Sequence, residues 1–173
     1  MAMKGLGRVF DLAPVITPVN LATGANAGLP VSLENAGGVT FVLFKGKGEA
    51  GEDPVITFRE AQDGSGTNEQ DLDVVTEWYA KTDTDNNDLS GDETWTRYTQ
   101  SVGGDVDLDA KGGNAEDAAI VCAYIDADDL SDGYTHVTVD IPDVGDAAQI
   151  GGVIAILHDL KVQRTPENLA ATQ

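Results

Sequence analysis

The sequence predicts an all-β protein, an antiparallel β-sandwich or jelly-roll-like barrel with an extended N-terminal arm, and three observations lead there. Short runs that are apolar or strictly alternating recur along the chain, bounded by turns rich in Gly, Asn and Asp at 63–66, 83–91, 103–104, 112–114 and 132–133. Glycine supplies 20 of 173 residues, above its usual share of about 7 %, which suits a fold with many tight turns. Hydrophobic residues make up 41 %, enough for a single core in one domain.

The elements follow in chain order. Residues 1–30 are interrupted by Pro14, Pro18 and Pro30 and by the loop Gly24, Ala25, Asn26, Ala27 and Gly28, so they read as an extended arm. Its apolar side chains, Phe10, Leu12, Val15, Ile16, Val19 and Leu21, suit either a first strand on the chain's own domain or an arm on a neighbouring subunit. The sandwich domain is expected over 31–161 and a C-terminal tail over 162–173. Residues 39–44 (VTFVLF) are apolar on both faces, as in a doubly covered strand. In 55–62 the pattern alternates, with Ile56 and Phe58 on one side and Thr57 and Arg59 on the other. Further strands are expected at 72–79, carrying Val74, Val75, Trp78 and Tyr79, and at 94–99 (TWTRYT).

Residues 118–125 (AAIVCAYI) would open as a helix if capped at Asn114 with Glu116 and Asp117 in the first turn, but their Ile–Val centre and short length favour a buried strand. Residues 134–141 alternate, placing Thr135, Val137, Val139 and Ile141 on one face. Residues 150–157 (IGGVIAIL) are again apolar on both faces, and Gly151 and Gly152 signal a bulge or a close backbone approach. Three doubly apolar strands exceed what a one-sided sheet needs, which implies an outer surface partly covered by another subunit.

Thirty Asp and Glu against ten Lys and Arg give a net charge of −20. The charge is polarised: residues 1–48 carry +2, 49–159 carry −23 and 160–173 carry +1. Such acidity argues against nucleic acid and anionic membrane as partners, both of which need clustered cations. Cys122 stands alone, so neither an internal disulfide nor a multi-thiolate metal site is expected. No run reaches membrane-span length and the opening MAMKGLGRVF lacks the apolar core of a leader, so a reducing cytoplasm is the expected place of synthesis.

The motifs carry little chemistry. Gly46, Gly48 and Gly51 fit a nucleotide-binding glycine pattern, but Pro54 and a strand follow where a helix N-terminus is needed, so a β-hairpin is expected. Residues 83–93 begin like a calcium loop, yet Asp88 replaces the glycine and Thr94 the final glutamate, which leaves a solvated acidic turn as the reading. Asp105, Asp107 and Asp109 would share one face of a charged strand edge. His136 and His158 suit structural roles, and Cys122 reads as a small buried hydrophobe. No catalytic residue, cofactor or metal ion is expected, and the chain is not read as an enzyme.

The stretch FKGKGEAGEDPVITFREAQD, residues 44–63, resembles small capsid-associated proteins of tailed bacteriophages, especially those encoded beside the major capsid protein in phages of actinobacteria. They share an apolar strand, a Phe-Lys-Gly turn, a Gly-acid-Asp-Pro step and an alternating strand. Residues 125–161, an acidic Asp-Leu turn followed by an aromatic-led strand and a final apolar one, are similar too. The likeness is one of pattern over about residues 10–161 and leaves 82–93 unmatched. It implies a minor capsid or decoration (cement) protein on the outer surface of the virion head, assembled in the host cytoplasm. The implied partner is the major capsid protein, with a homo-oligomer, a trimer above all, as the assembled form. The arm residues Lys4, Arg8, Phe10, Leu12, Val15 and Ile16 would then be the capsid or subunit contacts.

Three rivals stay open at this level. One is a carbohydrate- or cell-surface-binding module stacking sugars on Trp78 and Trp95, another a carboxylate-dependent hydrolase, and the third a tail-tube or tail-terminator subunit.

Overall fold

A computed structural model of the chain describes residues 5–84, 94–108 and 117–168. In chain order the strands are β1 (Phe10–Asn20), β2 (Asn26–Ala27), β3 (Val31–Ser32), β4 (Gly38–Lys45), β5 (Val55–Ala61) and β6 (Gln70–Asp71). There follow β7 (Glu77–Lys81), β8 (Thr96–Thr99), β9 (Val106–Asp107), β10 (Ala119–Asp126), β11 (His136–Ile141) and β12 (Ile150–His158). Helical structure among the described residues is confined to short 3-10 turns such as Leu21–Thr23 and Ala127–Asp129.

The strands form two antiparallel sheets packed as a sandwich. The first has the order β1-β12-β4-β10-β7-β8; the second has β2-β11-β5-β6, with β3 also on β11 and β9 also on β5. Alternation decides which side chains go inside. Phe41 and Leu43 of β4, Val121 and Ala123 of β10 and Val153 and Ala155 of β12 face Ile56 and Phe58 of β5 and Val137, Val139 and Ile141 of β11. Phe41 and Phe58 meet across the two layers with ring centroids 5.9 Å apart. Residues 118–125, ambiguous between helix and strand, supply a central strand.

Two charged side chains buried at the sandwich ends, Lys45 and Glu60, are answered by hydrogen bonds. The Lys45 ammonium donates to the Asp117 carbonyl at 2.7 Å. The Glu60 carboxylate accepts from the Gln70 amide at 2.6 Å and from the Ser131 backbone N–H at 2.8 Å, tying the 127–131 turn to the second sheet.

One open reading is decided and two expectations change. Residues 10–20 are the edge strand of the first sheet, paired with β12 from Phe10 opposite His158 to Asn20 opposite Ile150. Prolines are tolerated there because an edge strand needs donors on one side only. Two register shifts flank Ile16, and Gly152 makes room for the bulge: a Cβ on it would lie 2.9 Å from the Ile16 carbonyl oxygen and 3.1 Å from the Pro18 nitrogen. Second, the strand expected at 72–79 begins at Glu77, because 72–76 carry the chain from one sheet to the other. Leu72 and Val75 are apolar there since the crossing runs through the core. Third, the glycine-rich segment 46–54 links β4 in one sheet to β5 in the other and is no hairpin.

A candidate interaction surface

The outer face of the first sheet follows directly from the register. One row crosses all six strands: Pro14, Ile154, Val42, Cys122, Tyr79 and Arg97. The next holds Leu12, Ile156, Thr40 and Tyr124, and the one on its other side Gly152, Phe44, Ile120 and Lys81. Across β1, β12, β4 and β10 these rows contain no charged residue, in a protein with 30 acidic side chains. Phe44 is 61 % exposed and Ile154 46 %, with Leu12 and Tyr124 similarly open. A contiguous apolar face of this kind is the candidate interaction surface, since single scattered exposures are the ordinary pattern of a face that meets only water. The three doubly apolar strands of the sequence lie side by side as β12, β4 and β10, which turns three separate patterns into one face.

Charge lies at the margins. At the β7–β8 side Arg97 pairs with Glu77, which also accepts the Tyr79 hydroxyl and sits below the usual carboxylate range, first through the Arg97 bond and then through Tyr79. Lys81 stands 5.4 Å above the Trp95 ring. At the opposite corner Tyr124 stacks on His158 with centroids 5.0 Å apart and donates to Asp126 at 3.0 Å. Burial, then the Asp126 bond and the nearby Asp159 and Asp129 charges, push the Tyr124 phenol up to about 12. His158 contacts Thr40 at 3.4 Å and Asp159 at 3.2 Å.

The expected contact residues divide sharply. Arg8 is exposed, Phe10 half-buried, and Leu12 belongs to the apolar face. Val15 and Ile16 are core residues at 3 % and 7 % exposure, so they hold β1 down and are not free to touch a partner. Lys4 lies outside the described residues, as does most of the calcium-like loop from Asp85 to Glu93, and Asp109. Sequence reasoning missed Val42, Phe44, Ile120, Ile154 and Ile156 as surface residues, although the doubly apolar strand patterns were the signal that contained them.

The remaining motifs read as follows. Trp78 is 1 % exposed and stacks on Tyr98 inside the sandwich at 4.1 Å, so it cannot pair with the exposed Trp95 as a sugar platform. Cys122 is half-buried in the apolar face and burial raises its thiol pKa, the opposite of an activated nucleophile. His136 sits on the second sheet beside the Thr135 hydroxyl, and desolvation lowers its pKa first of all. Among the described residues no group of three metal-ligating side chains converges. No helix there is long and apolar enough to cross a membrane.

Comparison with protein-family models, with curated proteins and with solved structures finds no match to this chain.

Proposed function

We propose that the chain is a structural virion protein that binds the outer surface of a tailed phage's capsid and stabilises the lattice of the major capsid protein. The observation that carries this reading is the uncharged central rows on the outer face of β1, β12, β4 and β10 in a chain of net charge −20. Docking by that face buries Phe44, Ile154, Leu12 and their neighbours, and leaves the polar second sheet facing water. The likeness of residues 44–63 and 125–161 to phage capsid-associated proteins supports the same partner. The role is binding, not catalysis.

Purified protein added to matching capsids that lack it should co-sediment with them at about one copy per major capsid subunit. Failure to co-sediment at any salt concentration would overturn the proposal.

A further inference from the structure

The apolar face is interrupted by a depression of about 550 Å³, walled by Tyr79 and Tyr124, floored by Cys122 and edged by His158, Glu77 and Asp129. Tyr79 is opposite Cys122 in the register and Tyr124 is two residues further along β10, so the rings are diagonal neighbours. Diagonal positions on a sheet stand about 7–8 Å apart, so both rings border the same depression. The charge around it is unbalanced. Glu77 is answered by Arg97, whereas Asp126, Asp129 and Asp159 crowd the Tyr124 end and, among the described residues, none forms an ion pair with Lys or Arg. Lys161 acts on Asp126 only at longer range. The Asp126 and Asp129 carboxylates bond backbone N–H groups of their own turn, and Asp159 meets His158.

We propose that this depression is the specificity pocket of the docking face and receives a basic side chain, arginine above all, projecting from an apolar patch on the partner. The inference rests on the docking role assigned to the face above, and it names the chemistry of what docks. A guanidinium stacks on tyrosine faces and answers carboxylates in the same pose, and paired Tyr–Arg contacts are typical anchors of protein interfaces. The molecule already holds one cation over an aromatic ring on this face, Lys81 on Trp95. Charge complementarity selects the occupant: a second copy would bring its own carboxylate corner and a further −20 to the contact, whereas a lattice surface with a basic residue neutralises the corner.

The probe is the tripeptide acetyl-Val-Arg-Ile-amide, titrated against the labelled full chain by amide NMR, with the neutral citrulline peptide as control. Shifts should concentrate at Cys122, Tyr124 and His158, and the citrulline peptide should bind about fivefold more weakly. The double variant Asp129→Asn, Asp159→Asn should weaken the arginine peptide to a similar degree. Asn keeps the hydrogen-bond acceptors and suits the left-handed backbone of Asp159, at φ 53°, so the fold is spared. Equal binding of both peptides, or no localised shifts, would overturn the pocket. Concentration-dependent self-association abolished by Phe44→Ser would assign the face to a second copy and overturn it as well. Capsid addition by the wild type with no peptide binding would refute the pocket and spare the capsid role; peptide binding without capsid addition would do the reverse.

Discussion

The two sheets of this sandwich bury equivalent inner faces and present opposite outer ones. On the second sheet β5 turns Val55, Thr57 and Arg59 outward and β11 turns His136 and Asp140, while Thr138 between them is covered at 1 % exposure. Arg59 is held there by Glu69 at 2.6 Å and by Asp71 and Asp140 at 3.2 Å each. On the first sheet the corresponding positions are Val42, Phe44, Ile120, Cys122, Ile154 and Ile156. A two-layer sandwich needs apolar residues on its inner faces only. The polar sheet shows that this sequence can make the ordinary choice, so the apolar exterior of its partner is an addition that stability of the lone domain does not explain.

The largest expected effect lies where the sheets meet. Phe58→Ala removes the ring that touches Phe41 and should cost about 3–5 kcal/mol in denaturant unfolding, weakening both faces together. Next comes the contrast between the exteriors. Phe44→Ser combined with Ile154→Ser should reduce capsid addition about 100-fold with an almost unchanged Tm. Arg59→Gln, on the polar sheet, should leave capsid addition unaltered while costing on the order of 1 kcal/mol, because its partly exposed ion pairs are screened by solvent. Equal effects of these two changes on capsid addition would erase the distinction between the faces.

Gly152→Val sharpens the boundary of the face. The new side chain collides with the β1 backbone at Ile16 and Pro18 and should cost about 1–3 kcal/mol, with faster amide exchange concentrated in β1. If capsid addition also falls, Leu12 and Pro14 belong to the docking surface.

The smallest effect is one of pH. Asp63, in the β5–β6 turn, is held below its ordinary value of 3.8 by the Thr67 hydroxyl first and then by the Thr67 and Ser65 N–H groups. A lowered native pKa means the contribution is complete above 3.8 and is lost as pH falls through the native value. Amide protection at Ser65 and Thr67 should therefore decline in acid, and Asp63→Asn should flatten the change. The central rows of the first sheet hold no carboxylate, so protection there should not follow that titration.

Much of this fold is legible in the residues, and its losses have physical causes. Alternation placed Ile56 and Phe58 inward on β5 and Val137, Val139 and Ile141 inward on β11, since a half-buried strand repeats every two residues. The paired glycines of β12 announced the bulge that β1 imposes. What local sequence cannot express is which strands become neighbours. β4 pairs with β12 and β10 across long stretches of chain, and only that pairing merges three apolar exteriors into one surface. For the same reason residues 1–30 suit both an arm and a first strand by sequence alone: Pro14 and Pro18 argue against a central strand but are silent about an edge. Val75 and Leu72 were apolar for a crossing and not for a strand, a difference that composition does not record.

Hydroxyl-radical footprinting of the protein, free and bound to capsids, tests most directly whether the apolar sheet docks and the polar sheet faces water. Oxidation of Phe44, Tyr79 and Tyr124 is expected to fall severalfold on binding, while His136 and Tyr134 on the opposite side react as in the free protein. Unchanged oxidation of Phe44 and Tyr124 together with protection of His136 and Tyr134 would contradict it.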